Sequence, residues 1–224
     1  VNRRGDRQLD AVGKPMRNVE VKLANDGEII VRGELLMNGY WNNPADTKKT
    51  IVDGWLHTGD IGEFDARGRI KITDRKKDII VLSGGDNVSP ARVEGFLTIQ
   101  SEIGQAMVIG DKRPHCAALI VPDDEWLIDF KKETGKTGTL ADLADDPELH
   151  KRLSAAVNRV NQELSNIEKV RKFAVATGEF TTDNAQLTPS MKVRRHVVKQ
   201  DYESVLEALY PTEKKKTALV EASA

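Results

Sequence analysis

Asp74-Arg75-Lys76-Lys77-Asp78 is the charged run at which this sequence changes character. Before it, apolar and polar residues alternate in short stretches between turn residues, which is the period of half-buried strands. After it, apolar runs with strand character mix with helical spacing. We therefore predict a mixed fold: a β-barrel-like unit over residues 1–74, a joint at 75–78, and an α+β unit over 79–210 built from a short antiparallel sheet flanked by helices.

The residues before the joint predict two hairpins. Val19–Leu23 alternates apolar and polar side chains, and Glu28–Arg32 returns after the turn residues Asn25-Asp26-Gly27. Ile61–Phe64 and Arg69–Thr73 form the second pair. Strand-like runs that flank short loops containing Gly, Asn and Asp are typical of antiparallel hairpins.

The residues after the joint predict strands and helices in mixed order. Ser89-Pro90 indicates a helix start, because serine caps a helix N-terminus and proline fits its first position. Periodicity predicts further strands and helices, at residues 105–109 and 116–121 for the strands and at 149–167 and 202–209 for the helices. We expect an exposed loop at 132–146 and a flexible tail over 211–224.

Length, charge and hydropathy narrow the class of protein. The 224 residues carry a formal net charge of −1, with 34 basic and 35 acidic side chains. This balance gives no attraction for nucleic acid, so no such partner is expected. No apolar stretch approaches the ~20 residues of a transmembrane helix. We expect a cytoplasmic protein, with peripheral membrane association left open.

Cys116 is the only cysteine of the chain. A single cysteine excludes an intramolecular disulfide and a metal site built from several cysteines. Because it begins the apolar run 116–121, we predict a buried thiol in a strand and not a nucleophile.

Asp60, in the string Gly54-Trp55-Leu56-His57-Thr58-Gly59-Asp60, is a candidate binding residue together with Arg75. An ionised carboxylate only accepts hydrogen bonds, so one Asp can hold both vicinal hydroxyls of a ribose. Taken singly, the two residues are a turn cap and a surface charge. The longer string around Asp60, and the run Gly33–Trp41 before it, favour binding.

These strings and the late segment Leu187-Thr188-Pro189-Ser190-Met191-Lys192-Val193-Arg194-Arg195 resemble the C-terminal half of the motif set of adenylate-forming acyl-CoA synthetases. The resemblance runs from about Gly13 to Arg195 and is closest to the long-chain fatty acyl-CoA synthetase branch. It implies an ATP-dependent acid–thiol ligase that forms an acyl adenylate and pyrophosphate, then transfers the acyl group to CoA. Residues 1–74 would be the β-rich end of the large AMP-binding domain, and 79–210 the mobile C-terminal domain.

The resemblance also implies roles for individual residues. Asp60 would bind the AMP ribose with help from Arg75, and Lys77 would be the hinge about which the C-terminal domain rotates. Lys192 would stabilise the charge that develops on the α-phosphate during adenylation, although a lysine alone is usually a solvated surface charge. Met191 departs from the short-acid and aromatic-acid enzymes, which have glycine there.

Gly84, Gly85 and Asn87 are the candidates for the channel that admits the pantetheine arm of CoA, again by resemblance. A Gly-Gly pair on its own is more often a tight turn. The phosphate loop, the glutamate that helps to hold Mg²⁺ and the acyl tunnel are expected outside this chain, so no metal ligand is assigned within it. We expect the 224 residues to need the missing N-terminal region for activity.

Two alternatives remain beside the fatty acid–CoA ligase. One is an acyl-AMP ligase that loads a carrier protein in place of CoA. The other is a non-catalytic interaction module derived from the C-terminal domain. Retention of Asp60, Arg75 and Lys192 together argues against such a module, because it would have no use for all three.

Overall fold

The computed structural model describes residues 1, 2, 5 and 7–210, so the tail 211–224 that we expect to be flexible lies outside the described residues. The chain divides into two compact units, the first Val1–Ile79 and the second from Ile80 onward. The division falls just beyond the charged run Asp74–Asp78, after one further apolar residue.

The first unit is a curled antiparallel sheet of five strands with one short helix. Its elements in chain order are β1 (Val19–Leu23), β2 (Glu28–Gly33), α1 (Pro44–Thr50), β3 (Ile51–Val52), β4 (Trp55–Phe64) and β5 (Ile70–Arg75). The strand order is β1-β2-β4-β3, and β5 also pairs with β4. Both predicted hairpins are confirmed, as β1–β2 and β4–β5. Helix α1 was not predicted; Asn43 caps it by accepting a hydrogen bond from the amide of Asp46.

The long strand β4 gives the sheet its curl. It pairs with β2, β3 and β5, and its register with β5 shifts between Ile61 and Gly62. A side chain at Gly62 would collide with the carbonyl oxygen of Lys71 and with the side chain of Ile29. Glycine is therefore needed where the register shifts, because the neighbouring strand approaches too closely for a Cβ atom.

The second unit contains a three-stranded sheet, a two-stranded ribbon and six helices within the described residues. The elements are β6 (Ile80–Val81), β7 (Asn87–Val88), α2 (Pro90–Thr98), β8 (Ile103–Ile109), β9 (Cys116–Pro122), α3 (Asp124–Thr134), α4 (Leu140–Leu143), α5 (Pro147–Glu163), β10 (Val170–Val175), α6 (Arg195–Asp201) and α7 (Glu203–Ala208). The sheet has the order β10-β9-β8.

The expectation of a wholly antiparallel sheet was wrong in one respect. Strands β8 and β9 are antiparallel, but β10 runs parallel to β9. Helices α3, α4 and α5 lie between β9 and β10 in the chain, and a connection of this length lets the chain cross over and re-enter the sheet in the same direction. β10 itself was not predicted.

Strand β9 is buried on both faces and separates two apolar cores. Successive side chains of a strand point to opposite faces. Accordingly, Cys116, Ala118 and Ile120 join the core against α2, α3 and α5, whereas Leu119 and Val121 join the core against α6 and α7. Burial, and second the charge of a nearby carboxylate, raises the pKa of the Cys116 thiol to about 11. The thiol is thus protonated at neutral pH, in agreement with a structural role.

Three predicted boundaries differ from the structure. Helix α5 ends at Glu163, because Leu164 adopts an extended conformation. The predicted last helix is two short helices interrupted at Tyr202, whose φ of −110° and ψ of 19° are not helical. The expected loop at 132–146 contains α4, which begins with a reciprocal capping box between Thr139 and Asp142. Capping of this kind stabilises even a single turn.

Candidate functional site

Asp60 and Arg75 lie directly opposite each other on the antiparallel strands β4 and β5. The Nε atom of Arg75 is 2.8 Å from Oδ1 of Asp60, and their side chains are 55% and 21% exposed. Directly opposed residues are the closest side-chain neighbours across an antiparallel pair. The strand register therefore brings the two predicted residues together where a ligand can reach them.

The Thr58–Asp60 stretch of β4 is held against β2 by hydrogen bonds. The hydroxyl of Thr58 donates to the carbonyl oxygen of Ile29 at 2.7 Å and accepts from the amide of Asp60 at 3.1 Å. Thr58 therefore has a structural role: its hydrogen bonds orient the backbone that carries Asp60.

Beneath this stretch of β4 lies the carboxylate of Glu28, which is 2% exposed. One oxygen, Oε1, accepts from the amide of Gly59 at 2.8 Å. The other, Oε2, lies 2.7 Å from Nδ1 of His57 and accepts from Nζ of Lys76 at 2.9 Å. Asp26 also contacts that ammonium, at 2.7 Å. A buried charge is tolerated when it is paired and hydrogen-bonded, as here.

These contacts determine the protonation state of Glu28. Burial alone raises its pKa, but the hydrogen bonds from His57, Lys76 and the Gly59 amide outweigh burial, and the pKa lies below its usual range. The group is therefore an anion at neutral pH. The sequence did not reveal it, because its partners follow 29 to 48 residues later in the chain. His57 is a hydrogen-bonded residue of this network.

The joint leaves β5 through a short turn. The amides of Asp78 and Ile79 both donate to the carbonyl oxygen of Arg75, at 2.9 and 3.2 Å, and the amide of Lys76 donates to the carbonyl oxygen of Gly59 at 2.8 Å. The side chain of Lys77 is exposed and has no ion pair or hydrogen bond within the described residues. Within the joint, Lys76 is thus held by hydrogen bonds and ion pairs, whereas the side chain of the adjacent Lys77 is not held.

Lys192 lies in a tight loop of the second unit, closed by a bridge between Leu187 and Val193. Thr188 shapes the loop: its amide donates to the carbonyl oxygen of Lys192 at 2.8 Å, and its hydroxyl accepts from the Lys192 amide at 3.1 Å. Met191 has a φ of 61°, in the left-handed region. The ammonium of Lys192 is exposed and has no ion-pair partner in the part of the chain that the structure describes.

Two arginines attach this loop to the rest of the unit, Arg194 and Arg195. Neither was assigned a role from the sequence. Nη1 of Arg194 donates to the carbonyl oxygen of Ala185 at 3.1 Å. Arg195 forms a 2.7 Å ion pair with Glu94 of α2 and donates to the carbonyl oxygen of Val108 in β8. The loop is therefore fixed at its base while Lys192 is left unpaired.

Gly84 and Gly85 form the turn between β6 and β7. Gly85 has a φ of 89°, and its amide donates to the carbonyl oxygen of Leu82 at 2.9 Å. The backbone alone therefore accounts for this glycine. A Cβ atom at Gly84 would come no closer than 3.4 Å to its nearest neighbour, an oxygen of Asp86. Asn87 begins β7 and is exposed.

A pocket of about 270 Å³ lies beside Gly84 and is lined in part by His115 and Arg171. Nε2 of His115 is buried without a hydrogen-bond partner among the described residues. Burial, and second the charges of Lys172 and Arg171, hold the pKa of His115 below its usual range. The ring is therefore neutral at pH 7. This pocket was not predicted from the sequence, because segments far apart in the chain line it.

The structure brings Asp60 and Arg75 together in the first unit and places Gly84 and Gly85 on one turn of the second, with Lys192 on a separate loop of that unit. Among the described residues, no group of three or more His, Cys, Asp or Glu side chains is placed to hold a metal ion. None of the helices within residues 7–210 is both long and apolar enough to cross a bilayer.

Comparison of the sequence with known proteins gives consistent matches. The family model for the AMP-binding enzyme C-terminal domain matches residues 77–214. The long-chain-fatty-acid–CoA ligase FadD15 of Mycobacterium tuberculosis is 42% identical over 210 residues, which cover 93% of this chain and 35% of the ligase. Human long-chain-fatty-acid–CoA ligase 6 is 33% identical over 221 residues, covering 92% of this chain and 32% of the ligase. The chain thus spans about a third of the length of these relatives.

Among solved structures, the adenylation domain of a carboxylate reductase from Mycobacterium chelonae is similar to this chain. The TM-score is 0.70 at 25% identity, and the match covers 88% of this chain and 31% of the reductase chain. The similarity confirms the predicted mixed fold class, in which a β-rich unit is followed by an α+β unit.

Proposed function

Because this chain belongs to the family of AMP-binding enzyme C-terminal domains, we propose that it is the C-terminal part of an ATP-dependent long-chain fatty acid–CoA ligase. In the first step, the fatty-acid carboxylate attacks the α-phosphorus of ATP, and pyrophosphate leaves. In the second step, the thiol of CoA attacks the acyl carbonyl, and AMP leaves. The named activities of the two curated relatives support this assignment.

The observation that carries the proposal is the Asp60–Arg75 pair. Oδ1 of Asp60 lies 2.8 Å from Nε of Arg75, and the Arg75 side chain is 55% exposed. These groups are a carboxylate acceptor beside guanidinium donors, and they suit the two vicinal hydroxyls of a ribose.

We assign Lys192 to the adenylation step. Negative charge accumulates on the phosphoryl oxygens as pyrophosphate leaves, and a positioned ammonium group lowers the energy of that transition state. An exposed lysine without an ion-pair partner on an anchored loop can serve this purpose, since no local contact must be broken to use it. Lys77 would let the second unit rotate after adenylation, because a hinge residue must absorb a change of backbone angles.

For the second step, we assign the turn of Gly84 and Gly85, with Asn87, to the passage of the pantetheine arm. The open space at Gly85, where a Cβ atom would meet nothing within 4 Å, supports this assignment. Mg²⁺ would be held by groups outside this chain and would neutralise charge on the phosphates of ATP. We also propose a cytoplasmic location with peripheral attachment to membranes, because ATP and CoA are intracellular and long-chain acids partition into bilayers.

The proposal is tested with the complete enzyme that contains this chain. Purified enzyme is given ATP, Mg²⁺, a long-chain fatty acid and either CoA or an acyl carrier protein, and pyrophosphate, AMP and thioester are measured. We expect fatty-acid-dependent pyrophosphate release and acyl-CoA in equal amounts. Thioester formed on the carrier protein alone would replace this proposal with a carrier-loading ligase, and absence of acid-dependent pyrophosphate release would indicate an interaction module.

The 224-residue chain provides a matched control. Because the phosphate loop and the acyl tunnel are expected outside it, we expect no fatty-acid-dependent pyrophosphate release above background from this chain alone. Release by the purified chain would contradict the expected division of the active site.

A further inference from the structure

Lys76 is the residue of the joint that the proposed function leaves without a role. Its ammonium group contacts Asp26 at 2.7 Å and Glu28 at 2.9 Å, and its amide donates to the carbonyl oxygen of Gly59 at 2.8 Å. Side chain and backbone are therefore held by the same sheet. The side chain of the next residue, Lys77, has no ion pair and no hydrogen bond among the described residues.

Glu28 links this lysine to the candidate ribose site. The carboxylate that accepts from Lys76 also accepts from the amide of Gly59, which directly precedes Asp60. It is 2% exposed, so water does not replace any of these donors readily. Truncating one partner of a buried charge leaves the others unsatisfied, which makes such a network act as a unit.

We propose that Glu28 is a positioning residue that locks the Thr58–Asp60 stretch of β4 to Lys76, so that the ribose-binding pair and the joint form one rigid body up to Lys76 and rotation begins at Lys77. This inference rests on the proposed function, because it assumes that Asp60 holds the ribose and that the joint rotates. The lock itself is a property of the first unit and can be measured without substrate.

The contacts after Lys76 are weaker than those before it, which places the pivot. Beyond Lys76, the turn is closed by the two amides that share the carbonyl oxygen of Arg75. Asp78 and Ile79 are only partly buried, so their amides can exchange such bonds for bonds to water at modest net cost. The ammonium of Lys76, in contrast, would leave a buried carboxylate without its countercharge if it moved.

The substitution Glu28→Gln removes the negative charge that Lys76 and His57 both contact at Oε2. Its amide oxygen can still accept from Gly59, but its NH₂ group is a donor and cannot receive the ammonium of Lys76. Lys76→Met removes the contact with Lys76 from the other side, at a half-exposed position. Lys76→Arg keeps the charge and serves as the conservative rescue. Glu20→Gln is the matched control, since Glu20 pairs with Arg32 on an exposed part of the same sheet.

The first measurement is residue-resolved amide hydrogen exchange of the complete enzyme without ligands. We expect the Lys76 amide to exchange at least tenfold faster in Glu28→Gln and in Lys76→Met, no faster in the double variant than in either single one, and as slowly as wild type in Lys76→Arg and Glu20→Gln. Unchanged exchange of Lys76 in both single variants, or effects that multiply in the double variant, would overturn the lock.

The second measurement is the pair of half-reactions on the same variants. We expect Glu28→Gln and Lys76→Met to raise KM for ATP several-fold and to lower the rate of CoA transfer, with rescue by Lys76→Arg. Faster exchange with unchanged KM and transfer would refute the positioning role. If the variants show the expected changes in exchange but the wild-type enzyme has no ligase activity, the proposed function is refuted and the lock still stands.

Discussion

The candidate residues of the first unit are fixed by ion pairs and buried hydrogen bonds, whereas the candidate lysine of the second unit is left unpaired. Asp60 is paired with Arg75, and the buried carboxylate of Glu28 holds the backbone of Gly59, directly before Asp60. Lys192 is also on a well-anchored loop, through Arg195 and Glu94, but its own ammonium contacts no partner within the described residues. In both regions the supporting backbone is anchored. The difference is that the carboxylate of Asp60 has an ion-pair partner and the ammonium of Lys192 has none within the described residues.

This difference follows from the two tasks proposed for these groups. A group that binds the same ligand atoms throughout a reaction gains from being held in place beforehand, because no ordering cost remains at binding. A group needed for one half-reaction only must be able to leave, and a strong ion pair would oppose its departure or its arrival. Each of the following predictions disturbs one side of this contrast.

The largest effect is expected for Lys192→Ala in the complete enzyme. Removing the ammonium that faces the developing charge should slow adenylate formation by roughly a hundredfold or more, as losing one such contact typically does. Thioester formation from synthetic acyl adenylate and CoA should be largely unchanged, because Lys192 is not needed there. Two single-turnover assays, one from acid plus ATP and one from adenylate plus CoA, measure this.

The control for this variant is Lys199→Ala, which removes another exposed lysine of the same unit. We expect both half-reactions to proceed normally in Lys199→Ala. Equal losses in the two assays for Lys192→Ala would remove the case for its assigned role.

A smaller, opposite effect is expected for Lys77→Pro. Proline restricts its own φ and the conformation of Lys76 before it, so the joint can no longer change direction. If the fixed pose is that of adenylation, adenylate should still form, while CoA transfer should fall at least about tenfold, a barrier increase of about 1.4 kcal/mol. Lys77→Ala, which removes only the side chain, should support both steps. Adenylation that is lost while transfer continues would mean that the opposite pose was fixed.

The candidate pair was predictable from the sequence, but the contacts that hold it were not. Asp60 and Arg75 lie in recognisable strings, and a hairpin between them follows from local alternation. Glu28 has no such signal, because its role depends on β2 lying beside β4 and on Lys76 arriving 48 residues later. The direction of β10 was also beyond local pattern, since the path of the crossover sets it. Helix α5 ran as predicted until Leu164, where an apolar residue continued the period without continuing the helix.

The pH dependence of stability should reveal the buried network of the first unit. The folded pKa of Glu28 lies below its usual value of 4.5. Its stabilising contribution is therefore complete above about pH 4.5 and is lost as pH falls through the lower folded pKa. We expect wild type to lose stability more steeply than Glu28→Gln below pH 4.5, although Glu28→Gln is less stable at pH 7. Thermal unfolding followed by tryptophan fluorescence from pH 7 to 3 measures this slope, with Trp55 in β4 as a local reporter.

Glu20→Gln is the control for the acid slope. The ion pair of Glu20 with Arg32 is exposed, with side chains 62% and 48% accessible, and such pairs contribute little to stability. Its profile should run parallel to that of wild type. If Glu28→Gln also ran parallel to wild type below pH 4.5, the buried carboxylate would not be the group that couples stability to protons.

The smallest effect is expected on the loop of Lys192. Met191 has a φ of 61°, which costs a residue with a side chain about 1–2 kcal/mol relative to glycine. Glycine gains freedom in the unfolded chain, which offsets about 0.4–1 kcal/mol of that difference. Met191→Gly should therefore stabilise the second unit by about 0.5–1 kcal/mol, seen as a higher denaturant midpoint at unchanged slope.

Met16→Gly is the matched control for this substitution. Met16 is also exposed but is not among the residues with positive φ. The same substitution there should be neutral or destabilising, because glycine increases the conformational entropy of the unfolded chain and relieves no backbone strain. Adenylation by Met191→Gly should stay within about threefold of wild type, because the base of the loop is held by Arg195 and Glu94 and not by residue 191. A loss as large as that of Lys192→Ala would show that the strained backbone at Met191, and not the anchors alone, aims the lysine.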